Sequence, residues 1–365
     1  MANQPSPALP ASPSSSYPIL CASFNQDASC FAIGTEDGFK VFNLHTGRLC
    51  YERVVGAFFI VEMHFNSSLL AIVGAGEQPS LSPRRLALFN SLSGMALREL
   101  NFLTSVLAVR LNKERLVVIL QEKTYIYELK SLSILDTIDT VPNSKGLCAF
   151  SPSLDGSFLA LPASTSEGSA LLYNVMELQT HCEIHAHRSP LAAMALSSNG
   201  MYIATASEQG TMIRVHLVSD ATKSYSFRRG TYPSTIFSLA FGPSRQLPDF
   251  LLATSSSGST HVFPLGFTRS QRSSSLLASM MPNSHHVLHH AVPAGVRSCA
   301  VIQQMATASK PVAPISRHRA AVCIITYDGY FQEYFLSIDS QNHLSWRLER
   351  RFNLLTAVPD NASKP

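Results

Sequence analysis

Seven stretches of similar layout follow one another along the chain, each made of short apolar runs separated by polar turns. The first reads CASFNQDASCFAIGTEDGFKVFNL and the fifth reads PLAAMALSSNGMYIATASEQGTMIRVHLV. Equivalent apolar positions, spaced 41, 46, 39, 46 and 45 residues apart, are Phe24, Phe65, Leu111, Phe150, Leu196 and Phe241. This period is typical of a four-stranded propeller blade, and propellers close with ~4–8 blades. The sequence therefore predicts an all-β, seven-bladed β-propeller of degenerate WD-type repeats.

A pair of β-sandwiches is the alternative fold, but it would not explain the even spacing of the repeats. We expect the propeller to span residues 16–356, with disordered tails at 1–15, which is rich in Pro and Ser, and at 357–365. The two ends of the chain must meet to close the ring. We therefore expect residues 16–20 to pair in the seventh blade with residues 347–355.

Composition excludes several classes of protein. A net charge of +4, with 14% charged residues and no long basic run, is weaker than a nucleic-acid groove requires, so no nucleic-acid partner is expected. The first eighteen residues hold no Lys or Arg, and the chain has no apolar run of the ~20 residues that span a bilayer. We expect a cytoplasmic monomer whose membrane contact, if it has any, is peripheral.

Motifs for catalysis and for metal binding are absent from the sequence. There is no G-x-S-x-G, P-loop or H-E-x-x-H motif, and the seven cysteines form no C-x-x-C pair. The segment HHVLHH at residues 285–290 would present a conceivable metal face on a helix, but no Cys or acid stands nearby to complete a site. We expect solvated loop histidines, no metal, no cofactor and no enzymatic activity.

The segment Phe227-Arg228-Arg229-Gly230 lies between the fifth and sixth repeats. Neighbouring residues of a strand point to opposite sides, so the two arginines should face two different clefts between blades. A guanidinium can bind a phosphate through two parallel hydrogen bonds. Hydroxyl and imidazole groups that could complete such clefts occur in the two flanking repeats: His187, Thr205, Ser207, Thr211, Thr254, Ser255, Ser256, Thr260 and His261.

These segments resemble the PROPPINs, a family of β-propellers that bind polyphosphoinositides and that includes the autophagy WIPI proteins. The resemblance covers residues 18–355 and rests on IVGAGEQPSLSPRR, VRLNKERLVVIL, KGLCAFSP, ATASEQGTMIRV, FRRG and STHVF. It implies two sites for phosphatidylinositol 3-phosphate and 3,5-bisphosphate. The first site would contain Arg228, His187, Ser207 and Thr211. The second would contain Arg229, Ser256, Thr260 and His261.

A long insert, residues 264–296, interrupts the sixth repeat. Leu276, Leu277, Met280 and Met281 would share one face of a short helix, with basic residues just before them. Such a segment could lie in a bilayer surface, and the alternative is a disordered linker. The resemblance favours the first interpretation, because the corresponding loop of the family is the one that inserts into membranes.

The segment SPRR in the second repeat, with Pro83 and Arg84, would be a solvated turn in isolation. The resemblance implies that this edge docks a protein, such as the lipid-transfer protein of autophagosome growth. The expected function is a phosphoinositide-binding scaffold that recruits autophagy machinery to preautophagosomal, vacuolar or endosomal membranes. A WD-type propeller that joins proteins without touching lipid is the main alternative, and a propeller enzyme is the second.

Overall fold

The computed structural model describes residues 18–76, 78–154, 156–242, 250–265, 286–304, 316–339 and 344–358. They form 28 strands, arranged as seven antiparallel four-stranded sheets that follow one another along the chain. The prediction of a seven-bladed β-propeller is confirmed. Of the tails predicted to be disordered, residues 1–15 and 359–365 lie outside the described residues, while 357 and 358 are described.

The strands of each sheet pair in chain order, so each sheet is one blade. Blades 1 to 4 contain β1 Ile19–Phe24, β2 Cys30–Thr35, β3 Gly38–Asn43, β4 Leu49–Val54; β5 Phe58–Met63, β6 Leu69–Gly74, β7 Arg85–Asn90, β8 Met95–Asn101; β9 Ala108–Leu111, β10 Arg115–Ile119, β11 Lys123–Glu128, β12 Ile134–Asp139; β13 Ala149–Phe150, β14 Phe158–Pro162, β15 Gly168–Asn174, β16 Gln179–His187. A 3₁₀ turn, Pro79–Leu81, lies between β6 and β7.

Blades 5 to 7 contain β17 Leu191–Leu196, β18 Tyr202–Ser207, β19 Met212–Leu217, β20 Lys223–Arg228; β21 Ile236–Phe241, β22 Phe250–Ser255, β23 Thr260–Pro264, β24 His286–Leu288; β25 Ser298–Gln304, β26 Ser316–Thr326, β27 Tyr330–Asp339, β28 Leu344–Asn353. Burial follows strand position within a blade. All six residues of β18 and of β22 are buried, whereas the outer strand β8 is almost wholly exposed. The outer strands therefore form the rim of the ring.

The apolar core is divided among the junctions between blades. Each of the seven junctions holds its own cluster of buried side chains, including the junction of blade 7 with blade 1. At that last junction the ring of Phe31 stacks on Phe42 and on Phe331, with centroid separations of 4.9 and 5.2 Å. The blades thus hold together by side-chain packing between neighbouring sheets.

Ring closure differs from the prediction that residues 16–20 pair with residues 347–355. Ile19 belongs to β1 and pairs with β2 of its own blade, while β28 pairs with β27. Blades 7 and 1 are joined by hydrogen bonds outside the sheets. Ile19 N donates to Tyr327 O at 3.2 Å, and Lys40 Nζ donates to the carbonyls of Leu355 and Ala357. The seventh blade already contains four strands of its own, so the N-terminal segment has no place in it.

All seven cysteines are free thiols. Cys50 is exposed, whereas Cys21 and Cys299 lie among the inner strands, where burial raises the pKa of each thiol to about 12. A thiol with so high a pKa is protonated at neutral pH and is a poor nucleophile. These two cysteines therefore act as small apolar side chains in the packing.

Candidate functional site

The residues predicted to bind phosphoinositides lie at one face of the propeller, along blades 4, 5 and 6. In every blade the second strand ends, the third begins and the fourth ends at this same face. The predicted residues occupy such positions, because Ser207 ends β18, Thr260 begins β23, and His187 and Arg228 end the outer strands β16 and β20. We call this edge of blades 4 to 6 the FRRG edge.

Side-chain direction along β20 alternates as the sequence predicts. Phe227 stacks on Tyr225 of its own strand and on Phe263 of blade 6, with centroid separations of 5.5 and 4.9 Å. Ser226 and Arg228 are exposed on the other side of the strand. Phe227 and Arg229 therefore lie on the side that packs toward blade 6, and Arg228 on the opposite side.

Arg228 is exposed at the end of β20. Its backbone pairs with Met212 of β19, and its side chain makes no hydrogen bond or ion pair with any residue the structure describes. Exposed guanidinium groups are strongly attracted to phosphates, which they bind in a fork geometry. Arg228 thus has the exposure expected of a headgroup ligand.

Three other predicted residues of the first site lie around the junction of blades 4 and 5. His187 of blade 4 is half-buried, and its Nε2 lies 3.0 Å from Oγ1 of Thr205 in blade 5. Ser207 and Thr211 flank the turn that joins β18 to β19, and the Thr211 carbonyl accepts a hydrogen bond from Arg229 N at 2.8 Å. Burial, and then the positive charge of Arg214, lowers the pKa of His187 to about 4.

Arg229 differs from the expectation that both arginines are surface side chains. It is only 8% exposed, its Nε donates to Gly210 O at 2.7 Å, and its Nη2 donates to Tyr232 O. Burial lowers the pKa of its guanidinium. Two N–H groups thus hold the loop after β20 against the turn before β19.

The other predicted residues of the second site line blade 6. Ser256 Oγ lies 2.9 Å from Ser234 Oγ and accepts a hydrogen bond from Thr235 N at 3.0 Å. Thr260 is buried, and its Oγ1 has no hydrogen-bond partner among the described residues. His261 is also buried, and its ring lies parallel to that of Phe263 at 6.0 Å. Val262, two residues further along the same strand, packs in the cluster between blades 6 and 7, whereas Phe263 packs against blade 5. The side chain of Thr260 therefore faces blade 7 and that of His261 faces blade 5.

The turn at Gly210 shapes both halves of the FRRG edge. Gly210 has a φ of +60°, which lies in the left-handed region that favours glycine. A Cβ at this position would lie 1.7 Å from the backbone oxygen of Ser234. The close approach lets the Gly210 carbonyl accept from Arg229, a contact that the arginine-centred sequence argument missed.

The predicted insert is shorter than residues 264–296. His286–Leu288 form β24, the fourth strand of blade 6, which pairs with β23, and Ala291 and Val292 are buried. His286 is thus part of a strand, and His289 and His290 are exposed. The predicted membrane-inserting residues Leu276, Leu277, Met280 and Met281 lie outside the described residues. Their segment leaves β23 at the end opposite Thr260.

Pro83 and Arg84 lie on blade 2, between the 3₁₀ turn and β7. Their carbonyls accept hydrogen bonds from Val106 N at 2.8 Å and Phe102 N at 2.9 Å, so the segment is fixed against the chain entering blade 3. The Arg84 side chain is exposed, and nearby Leu103 is 91% exposed. Two blades, 7 and 1, separate this surface from blade 6 on the shorter way round the ring.

A propeller enzyme would need a cluster of acids, bases or metal ligands at the central channel. A cavity of about 900 Å³ opens there, lined by the first strands, and it contains an ion pair between Arg110 Nη1 and Glu62 Oε1 at 2.7 Å. Burial raises the pKa of Glu62, and Arg110 opposes the shift. Across the described ranges, no three His, Cys, Asp or Glu side chains gather as metal ligands would. The same part of the chain contains no helix with the length and apolar character to span a bilayer.

Comparison with known proteins identifies relatives over nearly the whole chain. The family model described as PROPPIN matches residues 18–281. "Autophagy-related protein 18b" of Arabidopsis thaliana is 64% identical over 353 residues, which cover 93% of this chain and 96% of that protein.

Two solved structures share the fold. The structure of Kluyveromyces lactis Hsv2 with its complete loop 6CD has a TM-score of 0.74 at 18% identity, covering 93% of this chain and all of that one. The complex of KlAtg21 with the coiled coil of AgAtg16 has a TM-score of 0.72 at 22% identity, covering 91% and 98%.

Proposed function

The chain belongs to the PROPPIN family, and we propose that it is a non-catalytic scaffold that binds phosphoinositide headgroups at the FRRG edge and recruits autophagy proteins to membranes. Its autophagy role is supported by the name of its Arabidopsis relative. The observation that carries the lipid-binding proposal is the exposed guanidinium of Arg228, which lies beside the hydroxyl-lined junction of blades 4 and 5 and has no hydrogen bond or ion pair with the described residues.

Two headgroup sites follow from the alternation along β20. Arg228, with His187, Ser207 and Thr211, would bind one phosphatidylinositol 3-phosphate or 3,5-bisphosphate headgroup. Arg229, with Ser256, Thr260 and His261, would bind the second. Two sites on one surface bind a membrane far more tightly than either alone, because the second lipid is present at high effective concentration.

The position of the insert favours attachment by the rim. The FRRG edge lies at one face of blades 5 and 6, whereas residues 266–285 depart from the other end of β23. A membrane could contact both the FRRG edge and the insert only if the propeller binds it edge-on, through the rim of these blades. Leu276, Leu277, Met280 and Met281 would then enter the bilayer surface, each contributing roughly 1.5–3 kcal/mol if fully buried. We place this attachment on cytoplasmic faces of preautophagosomal, vacuolar or endosomal membranes.

Pelleting with vesicles that contain phosphatidylinositol 3-phosphate or 3,5-bisphosphate tests the lipid proposal. Arg228→Thr should weaken binding, and the Arg228→Thr/Arg229→Thr double variant should abolish it. Arg84→Thr is the matched control, because it removes another exposed arginine on the opposite side of the ring and should bind as the wild type does. If the wild type binds vesicles with neither lipid, a scaffold that binds proteins without lipid becomes the better interpretation.

The blade 2 surface is the proposed docking site for a protein partner. Arg84 offers an exposed charge beside the exposed apolar side chain of Leu103, on a backbone fixed by hydrogen bonds. An autophagy lipid-transfer protein is the partner that the family resemblance suggests, and the coiled coil bound to KlAtg21 shows that a relative of this fold binds protein. Because blades 2 and 6 are well separated, partner and membrane could bind together.

The docking proposal is tested with the purified lipid-transfer protein in solution. Arg84→Thr and Leu103→Asp should each reduce binding, while Arg228→Thr should have no effect. Loss of partner binding in Arg228→Thr, or full binding by the Arg84→Thr/Leu103→Asp double variant, would place the partner elsewhere.

A further inference from the structure

The loop that joins blade 5 to blade 6 carries a large exposed aromatic side chain. Tyr232 is 83% exposed, and among the described residues its phenol makes no hydrogen bond and its ring no aromatic contact. Met201 is the other exposed large apolar side chain in the described part of blades 5 and 6, and it lies in the turn between β17 and β18, at the opposite face of the propeller. Tyr232 is thus the large apolar group that these described blades expose at the FRRG edge.

Single apolar side chains on a surface are common, so exposure alone does not indicate a ligand. Tyr232 differs from such residues because its backbone is fixed on both sides of the ring. Its carbonyl accepts a hydrogen bond from Nη2 of the buried Arg229, and two residues later Ser234 N donates to the Gln209 carbonyl at 3.1 Å. Pro233 follows Tyr232 directly, and a residue before proline is biased towards extended conformations. The loop therefore holds an exposed ring in a defined position.

The side chain of Tyr232 has the chemistry of an interfacial membrane contact. Tyrosine combines an apolar ring with a hydroxyl that can keep a hydrogen bond to water, and such side chains are enriched where the hydrocarbon of a membrane meets its headgroup layer. A ring on a fixed backbone loses little conformational freedom when it is buried against a partner, so more of its burial appears as affinity.

Tyr232 lies between the residues of the two proposed headgroup sites. It stands four residues after Arg228 and two before Ser234, whose Oγ lies 2.9 Å from Oγ of Ser256. Four residues of extended chain span at most about 14 Å. The ring is therefore within reach of a membrane whose lipids are held at either site.

We propose that Tyr232 is a membrane-contact residue of the FRRG edge, and that its ring enters the interfacial layer of a bilayer whose phosphoinositides are bound beside it. This role rests on the proposed lipid-binding function. The ring would add affinity for a membrane and none for a soluble headgroup, because a headgroup without acyl chains offers no interfacial layer. It would act separately from the insert, which leaves blade 6 at the opposite end of β23.

Vesicle pelleting and calorimetry together test this role. Tyr232→Ser should lower the affinity for phosphatidylcholine vesicles that contain phosphatidylinositol 3-phosphate about fivefold to tenfold, as expected for partial burial of one aromatic ring. Its affinity for soluble inositol 1,3-bisphosphate should be unchanged. Tyr232→Phe keeps the ring and should retain most of the vesicle binding. Leu92→Ser removes an 88% exposed side chain from the opposite face of blade 2 and is the matched control, which should bind as the wild type does.

Tryptophan fluorescence reports directly where the ring lies. The chain contains one tryptophan, Trp346, whose ring meets that of Tyr334 edge-on at 6.4 Å. Trp346→Phe keeps a ring at this contact, and in that background Tyr232→Trp and Leu92→Trp each supply a single reporter. The emission of the Tyr232→Trp reporter should shift to shorter wavelength with phosphatidylinositol 3-phosphate vesicles and should not shift with the soluble headgroup. The Leu92→Trp reporter should shift with neither.

Unchanged vesicle binding by Tyr232→Ser, or an unshifted emission of the Tyr232→Trp reporter, would overturn the proposal. A parallel loss of affinity for inositol 1,3-bisphosphate would also overturn it, because Tyr232 would then belong to a headgroup site. The pelleting comparison decides even if Trp346→Phe destabilises blade 7. A wild-type protein that binds neither vesicles nor the soluble headgroup contradicts the proposed function as well. A wild-type protein that binds vesicles, with a Tyr232→Ser variant that binds them equally, contradicts only the role of Tyr232.

Discussion

The two adjacent arginines of the FRRG edge should differ sharply in what they contribute to folding. Arg229→Thr removes two hydrogen bonds that a buried guanidinium donates to the carbonyls of Gly210 and Tyr232. Hydrogen bonds to charged groups contribute about 1.5–3 kcal/mol each, and water can reach part of the vacated space beside the exposed Tyr232. We therefore expect Arg229→Thr to lower the free energy of unfolding by about 2–4 kcal/mol.

Arg228→Thr is the matched comparison, because Arg228 is exposed and its side chain has no hydrogen bond in the described structure. Its unfolding free energy should stay within about 0.5 kcal/mol of the wild type. Urea unfolding followed by circular dichroism measures both values under identical conditions. Equal stability of the two variants would refute the assignment of Arg229 as a clamp on its loop. Arg229→Lys should fall between them, since one ammonium cannot reproduce the planar fork.

Three further outcomes follow from the described contacts. Replacing residues 268–284 with a Gly-Ser linker should leave the fold intact and should weaken vesicle binding without weakening soluble headgroup binding. Deleting residues 268–292 should destabilise blade 6, because the deletion removes β24. Equal urea midpoints for the deletion variant and the wild type would contradict this. The low folded pKa of His187 means that the unfolded chain binds a proton first, so stability should fall as pH drops from about 6.5 towards 4; a His187→Gln variant with an equally steep decline in urea titrations would contradict it. Gly210→Ala should displace Ser234 and reduce both stability and headgroup affinity, and an unchanged melting temperature would show that the turn adapts.

The blade count was predictable because apolar residues recur at equivalent positions of successive blades. Phe24, Leu111, Phe150, Leu196 and Phe241 each end the first strand of a blade, as the spacing implies. Such positions recur because each blade packs against its neighbours in the same way.

The mode of ring closure and the C-terminal end of the insert could not be predicted from the repeat of apolar positions. Ring closure depends on which strand completes the last sheet. The apolar pattern of a strand does not specify the strand with which it pairs. Residues 286–288 read as part of a histidine-rich loop, because a three-residue outer strand with half-buried side chains carries no clear alternation. The number of strands in a blade is therefore set by tertiary contacts and not by the local sequence pattern.

The alternation of Arg228 and Arg229 was predictable from strand geometry, since it needs only the period of two. The burial of Arg229 was not, because it depends on Gly210 and Tyr232 carbonyls that belong to a turn and a loop. The hydrogen bond from Arg214 to the Ala186 carbonyl was not predictable either, because it depends on how blade 5 packs on blade 4.

Calorimetry with a soluble phosphatidylinositol 3-phosphate headgroup tests the central claim of two separate sites most directly. The wild type should bind two headgroups per chain, and Arg228→Thr should bind one. Arg229→Thr should also bind one, when measured at a temperature where it is fully folded. One headgroup per wild-type chain, or two in Arg228→Thr, would contradict the two-site account.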